Sequence, residues 1–369
     1  MTSRLAYLVL LFLFIATEVN GQVMTLEFER FNSNDGLSQN HIFAIVQDHS
    51  GFLWFGTDDG LNRFDGHEFM VFRFNEADSN TIHNNSIRAL MVDRDSSIWI
   101  GTNNGICRYY PKTEKIERYT SDFMDPTKLS GLQVSSIVQQ NDGRIWISYI
   151  GDGINVITPG QKEIFHYTIN RPDEFKLKDD LVSSLVFMPD GNVMVGTLSG
   201  LQVISESGIV LSDSAAALIY PWISNVDPSV SDLIVTKNKR FLWIATELNG
   251  TYQVDLVNGE TRNFSKNNKR TEYNHSICLL EDSRQNIWIG TEVIYLYEQE
   301  RQKLFPVNEF DVKEKEVIKN PIYALFEDRD RNIWLGTQRM GILKFNPQNN
   351  QVQHYHSGMG DGSIKNNQI

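Results

Sequence analysis

Cysteine is almost absent from this chain of 369 residues: Cys107 and Cys278 are all it has, which excludes a disulfide framework. Basic residues are outnumbered, 34 Lys and Arg against 46 Asp and Glu, and the net charge of −12 removes the basic surface that nucleic acid or an anionic membrane would require. No Gly-Lys-Ser/Thr phosphate loop, no Gly-x-Ser-x-Gly elbow and no helical His pair of a zinc protease occurs. The His residues are scattered at 41, 49, 67, 83, 166, 275, 354 and 356; the last two share one strand face, which more often marks an exposed edge than a metal site, so no metal or cofactor is assigned. Long apolar runs are also missing, apart from Leu5 to Ala16. About a dozen apolar residues are too few to span a bilayer, which takes roughly 20. With Arg4 before the run and small residues at Val19 and Gly21, the stretch reads as a signal peptide over 1–21, with a mature start near Gln22. No Cys follows it to carry a lipid.

What is present is a repeat. Asn40 to Asp65 holds an apolar alternation, a polar turn with Asp48 and Gly51, a second apolar run through Trp54, then Gly56-Thr57 and a turn at Gly60. Copies lie at about 40–65, 85–110, 134–157, 181–203, 230–254, 274–297 and 320–346. Their central positions, Trp54, Trp99, Trp146, Met194, Trp243, Trp288 and Trp334, are spaced by 45, 47, 48, 49, 45 and 46 residues. A period in the mid-forties built of short strands and Gly-marked turns is the mark of a propeller blade. The expected fold is all-β, a seven-bladed β-propeller of four-stranded antiparallel blades spanning 22–369. The unit reads as strands A (Ile42 to Gln47), B (Phe52 to Gly56), C (Leu61 to Phe64) and D (Glu68 to Phe72).

Thr25 to Phe31 alternates strictly and reads as a spare D strand able to close the ring against the last blade, a role that Gln351 to His356 would fill equally well. Residues 361–369 match the threshold of the second repeat and read as the start of an eighth, so the chain is expected to be a fragment, or a shortened reading frame, of a longer protein. The recurring Trp54, Trp99, Trp146, Trp243, Trp288 and Trp334, with Gly56, Gly101, Gly290 and Gly336, are assigned to packing, since a catalytic group is needed once and a packing group in every blade. Cys107 and Cys278, in repeats two and six, are expected to stand too far apart to pair and to be buried. Ser205 to Asp227 is irregular; its Trp222 is either a ligand platform or, the plainer reading, an aromatic pinning a long loop.

The core Asp48-x-x-Gly51-x-Leu53-Trp54-Phe55-Gly56-Thr57-x-x-Gly60-Leu61 resembles the two-component regulator propeller repeat, and the resemblance covers about residues 25 to 369. In that family such repeats build the periplasmic sensor half of hybrid histidine kinases of Bacteroidetes-type bacteria. The resemblance implies a periplasmic sensor answering to oligosaccharides, a longer parent with a second propeller, a transmembrane helix and a kinase, and a homodimeric parent. This chain contains no kinase region, so it is expected to bind without transducing and to make no nucleic-acid contact.

Propellers gather their B–C turns and D–A loops on one face. The candidates for a sugar site there are Asp58, Asp59, Asn103, Asn104, Tyr149, Glu247, Glu292 and Arg339, chosen by position. Two alternatives stand beside the binding reading: a scaffold with no ligand of its own, and a lyase or glycosidase using acidic turns such as Asp58-Asp59, Asp152, Glu247 and Glu292. Spacing singles out no carboxylate pair. Asp48 precedes Gly51 by one residue too many for a sialidase-type Asp box. Asp328 to Asn332 opens like a calcium loop, but Ile333 and Arg339 stand where Gly and Glu are needed, so it reads as an A–B turn.

Overall fold

Short alternating strands linked by tight turns form antiparallel sheets, and here seven such sheets stand radially about one axis. The computed structural model describes residues 23–24, 28–122, 125, 127–171, 173–226, 229–264, 275–307, 320–347 and 352–353. The expected leader over 1–21, His354, His356 and the threshold of an eighth repeat at 361–369 lie outside the described residues.

In order A to D, blade 1 is Ile42–Gln47, Leu53–Thr57, Gly60–Phe64 and Phe69–Phe72, and blade 2 is Ile87–Val92, Ile98–Thr102, Gly105–Tyr110 and Lys115–Tyr119. Blade 3 is Val134–Gln139, Ile145–Tyr149, Ile154–Ile157 and Ile164–Tyr167, and blade 5 is Val230–Val235, Phe241–Thr246, Thr251–Asp255 and Thr261–Asn263. Blade 6 is Cys278–Glu281, Ile287–Gly290, Ile294–Glu298 and Lys303–Pro306. Blade 7 takes A, B and C from Ile322–Glu327, Ile333–Thr337 and Ile342–Phe345. Its D strand is Glu29–Phe31, paired Glu29 to Lys344, Arg30 to Leu343 and Phe31 to Ile342. The N-terminal strand is thus the one that closes the ring. Val352–Gln353 pairs with Val23–Met24 instead.

Blade 4 departs from the expected four strands. It has Val182–Phe187, Val193–Thr197 and Gly200–Ile204, and its outer position is taken by the helix Asp213–Ile219, capped by Ser212 accepting from the amide of Ala215. This falls in the segment that had read as irregular. There Tyr220 and Trp222 are buried in the cluster that holds Met194, so the aromatic bulk missing at the repeat position is supplied by the insertion. Trp222 is a pin rather than an exposed platform.

The B strands are buried on both faces because every sheet is sandwiched between two neighbours. Each repeat Trp packs onto the following blade: Trp54 on Tyr109 at 5.3 Å, Trp243 on Tyr297 at 4.9 Å and Trp288 on Phe345 at 5.2 Å between ring centroids. Trp334 reaches across the closure to Phe55 and Phe64 of blade 1 and stacks on Phe31 of the closing strand. Two residues after Trp54, Trp99, Trp288 and Trp334 the Gly is required by proximity, since a Cβ on Gly101 would lie 2.5 Å from Val134 and one on Gly56 2.8 Å from Ile87, whereas blades 3 and 5 carry Ser148 and Ala245 there. Cys107 and Cys278 are free and buried.

A second repeated device was present in the sequence but not read from it. In five blades the Trp indole donates to the side chain six residues earlier: Trp54 to Asp48 at 2.8 Å, Trp99 to Asp93 at 2.9 Å, Trp146 to Gln140 at 2.9 Å, Trp288 to Asp282 at 3.0 Å and Trp334 to Asp328 at 2.7 Å. In blade 5 Lys237 stands at that place and the Trp243 indole has no partner among the described residues. The second oxygen of Asp328 accepts from the amides of Asp330 and Asn332, so the carboxylate shapes the A–B turn as it satisfies the buried indole. In blade 4 both partners change together, to Met188 and Met194.

Candidate functional site

The seven A strands touch one another in a closed ring about the axis. In six of them the ladder slips by one residue near the start, opposite the end of strand B, and leaves a bulged residue: Phe43, Arg88, Ser135, Ser183, Ser231 and Tyr323. These lie at the end of the A strands where the B–C turns gather, and they divide the axial mouth in two. Over blades 3 and 4 the residues are small and tie neighbours together, Ser135 donating to Val182 O and Ser183 to Val230 O, both at 2.6 Å. Over blades 7, 1 and 2 they are large, with a different chemistry.

There Phe43, His41 and Tyr323 form an aromatic wall. Ring centroids stand 4.0 Å apart for His41 and Phe43, 5.0 Å for His41 and Tyr323 and 5.7 Å for Phe43 and Tyr323. The Arg88 guanidinium lies 3.8 Å over the Phe43 ring. Asp58 accepts from Ser86 Oγ at 3.0 Å, pairs with His41 Nδ1 at 3.0 Å and faces Arg88 Nη2 at 3.3 Å. Asn103 joins them, accepting from Arg88 Nε at 3.0 Å and donating to Ser86 Oγ at 3.0 Å.

Burial is the main cause that lowers the His41 pKa below the usual imidazole range; Asp58 opposes it and Arg88 adds to it. His41 is therefore neutral at pH 7, with its proton on Nδ1 toward Asp58. Its Nε2 is then a buried acceptor with no hydrogen-bond partner among the described residues. Burial likewise lowers the pKa of Arg88, opposed by Asp58. The half-buried mouth thus offers aromatic faces, a guanidinium, a carboxylate and an amide within one hydrogen-bonded network.

Of the residues expected from sequence, Asp58 and Asn103 belong to this network. Asp59 turns outward to Arg73 at 3.0 Å, and the Asn104 amide closes the B–C turn on Thr102. Tyr149 is corrected: it is fully buried in the core between blades 2 and 3, with Gly131 packed against its ring, and offers no face to a ligand. Glu247, Glu292 and Arg339 are exposed on the B–C turns of blades 5, 6 and 7, away from any bond to the network. His41, Phe43, Ser86, Arg88 and Tyr323 were not among the expected residues, all of which lie at the B–C turns. The signal of Phe43, Arg88 and Tyr323 was a non-repeating residue at a repeating position just after the first apolar residue of strand A, and His41 and Ser86 stand just before that residue at the end of the D–A loop. Among the described residues no group of three His, Cys, Asp or Glu is placed to hold a metal ion, and no helix is long and apolar enough to cross a membrane.

Fold and mouth together define a ring-closed propeller with an asymmetric axial site. Residues 36–59, 81–104, 272–293 and 317–339 match the two component regulator propeller family. The matched segments fall in blades 1, 2, 6 and 7, consecutive around the ring. Over 74 residues, 20% of this chain and 5% of the relative, the sequence is 47% identical to histidine kinase P4 of Formosa agariphila. The extracellular domain of a hybrid two component system from B. thetaiotaomicron shares the fold with a TM-score of 0.74 at 23% identity, over 92% of this chain and 44% of that one. A second such domain from the same organism gives 0.68 at 21% identity over 86% and 39%. Virginiamycin B lyase from Staphylococcus aureus gives 0.63 at 14% identity over 88% and 99%, which is likeness of fold alone. The chain spans less than half the length of the extracellular domains it resembles.

Proposed function

We propose that this chain is the periplasmic ligand-sensing propeller of a hybrid two-component signalling protein, and that it binds an oligosaccharide at the mouth over blades 7, 1 and 2. The observation that carries the reading is the aromatic wall of His41, Phe43 and Tyr323 set beside the Asp58, Arg88 and Asn103 network. A pyranose presents an apolar face of C–H groups and an equatorial rim of hydroxyls. The first suits stacking on aromatic rings and the second suits planar, fixed donors and acceptors. Export through the segment 1–21, a kinase in the parent protein and a parental homodimer belong to the same reading, in which this chain recognises the sugar and the rest of the parent transmits. Nothing in the mouth singles out a pair of carboxylates for hydrolysis, because Asp58 is engaged by three donors and Asp59 by Arg73.

The test is calorimetric titration of the purified chain with a panel of neutral and acidic oligosaccharides. Saturable binding of at least one, lost on substitution of Phe43 by Ala, supports the reading. Absence of binding across the panel overturns it in favour of a scaffold, and release of shortened products overturns it in favour of an enzyme.

A further inference from the structure

The mouth straddles the one place where the ring is closed without a continuous chain. Tyr323 belongs to blade 7, and His41 and Phe43 belong to blade 1, so their ring contacts at 5.0 and 5.7 Å cross the seam. The segment that joins them to the closing strand is short and bonded along its length. After Phe31, Asn32 and Asp35 cap each other in a single turn, the Ser33 amide donates to Asn40 Oδ1 at 2.9 Å, and Asn40 O accepts from Gly341 N of blade 7 at 3.1 Å. His41 follows at once. The closing strand itself is three residues long, held by its ladder, by Lys344 to Glu29 at 2.9 Å and by Arg30 Nε to Met340 O at 3.0 Å. A three-residue outer strand is among the parts of a sheet that open most readily.

We infer that the mouth is wired to the ring seam: an oligosaccharide bridging Tyr323 to Phe43 and Arg88 holds the closing strand Glu29–Phe31 in place, and an empty mouth lets that strand come away more often. The inference rests on the oligosaccharide reading for the identity of the ligand, while the wiring stands on contacts within the chain. A ligand that touches both sides of the seam binds the closed ring better than the open one and stabilises it by that difference. The signal that leaves this propeller is then the order of its N-terminal strand.

The experiment is hydrogen exchange by mass spectrometry on the whole chain, in two arms. In the first, without sugar, Phe43→Ala and Tyr323→Ala are compared with Ser183→Ala, which changes the corresponding bulge in blade 4. The two mouth variants are expected to speed exchange of Glu29–Phe31 by about tenfold and to leave Val193–Thr197 of blade 4 unchanged, while Ser183→Ala, which removes a bond to Gly196 O inside Val193–Thr197, leaves Glu29–Phe31 unchanged. Exchange that rises in both strands, or in neither, overturns the wiring; the first pattern also exposes a variant that is merely unstable. In the second arm cellotriose, laminaritriose, xylotriose and mannotriose are added in turn to the native chain. A trisaccharide that binds and slows exchange of Glu29–Phe31 supports the proposal, and one that binds at the mouth and leaves that strand unchanged overturns it. If none binds, the sugar reading fails while the first arm still decides the wiring.

Discussion

Arg329 of blade 7 donates from Nη2 to the carbonyl oxygen of Asp48 in blade 1 at 2.8 Å, across 281 positions of sequence, and from Nη1 to His49 O at 3.1 Å. The same latch joins blades 2 and 3, where Arg94 reaches Asn141, and a related one joins blades 5 and 6, where Lys237 reaches the carbonyls of Glu281 and Asp282. In each the cation follows the turn residue of one blade and donates hydrogen bonds to carbonyl oxygens of the next turn. At the seam the latch works on the face opposite the mouth, so closure is held from both ends. Arg329→Met is expected to cost about 1 to 2 kcal/mol in urea unfolding, and Arg94→Met a similar amount. Only Arg329→Met should loosen Glu29–Phe31 in hydrogen exchange. Equal loosening by both would show that closure is no weaker than any other blade junction.

The Trp and Asp pairs make a second, independent expectation. Asp48→Ala leaves the Trp54 indole and the amides of Ser50 and Phe52 without their acceptor. The expected cost is about 3 kcal/mol, because the buried indole is left unpaired and two amides of the turn lose their acceptor. Blade 4 shows how the position is refilled, with Met188 and Met194 together. The double variant Asp48→Met with Trp54→Met should therefore be less destabilised than the sum of its two single changes, by about 1 kcal/mol or more. Strict additivity in a double-mutant cycle would show that the hydrogen bond has no part in specifying the blade.

The A–B turn holds one residue at positive φ in all seven blades. Gly51, Gly143 and Gly191 take that place without strain, whereas Ser96, Lys239, Gln285 and Arg331 take it at φ 74, 59, 67 and 65. Gln285→Gly is expected to raise stability by about 0.5 to 1 kcal/mol, and a loss on thermal unfolding would contradict this.

Asp232 supplies a pH dependence. Its carboxyl is pushed up to about 6 by burial, against hydrogen bonds from Leu279 N, Leu233 N and Ser184 Oγ that join blades 4, 5 and 6. Between the ordinary value of 3.8 and about 6 the folded protein keeps a proton that the unfolded chain has released. Stability from this group is thus greatest below that window and falls as pH rises through it, by up to about 3 kcal/mol. Asp232→Asn should flatten that decline in urea unfolding followed from about pH 4 to about pH 7. Parallel curves for the native chain and the variant would contradict the assignment.

Period and turn chemistry made the blades legible: Trp54, Gly56 and Thr57 recur because each sheet meets its neighbours in the same way. The closing strand could be read as one of two candidates because Leu26 and Phe28 alternate in sequence with Glu27 and Glu29 as an outer strand does. The helix at Asp213–Ile219 was not legible, since three consecutive Ala residues in a polar surround lack the apolar period of either element. For the site, the turns yielded Asp58 and Asn103 but also Tyr149, which occupies the place of the repeated Thr57 and is drawn into the core under Gly131. The aromatic wall escaped because a bulge adds one residue to strand A, and strict alternation assigns Phe43, Arg88 and Tyr323 to a face between blades when they belong to the mouth.

The most direct test of the central claim is the affinity of one oligosaccharide from the panel for four variants measured side by side. Arg88→Met and Phe43→Ala should weaken binding by at least about tenfold, while Glu247→Gln and Glu292→Gln, on the far rim, should leave it within about twofold. Binding that survives both mouth variants and is lost with Glu247 or Glu292 would place the sugar over blades 5 and 6 and contradict the site described for blades 7, 1 and 2.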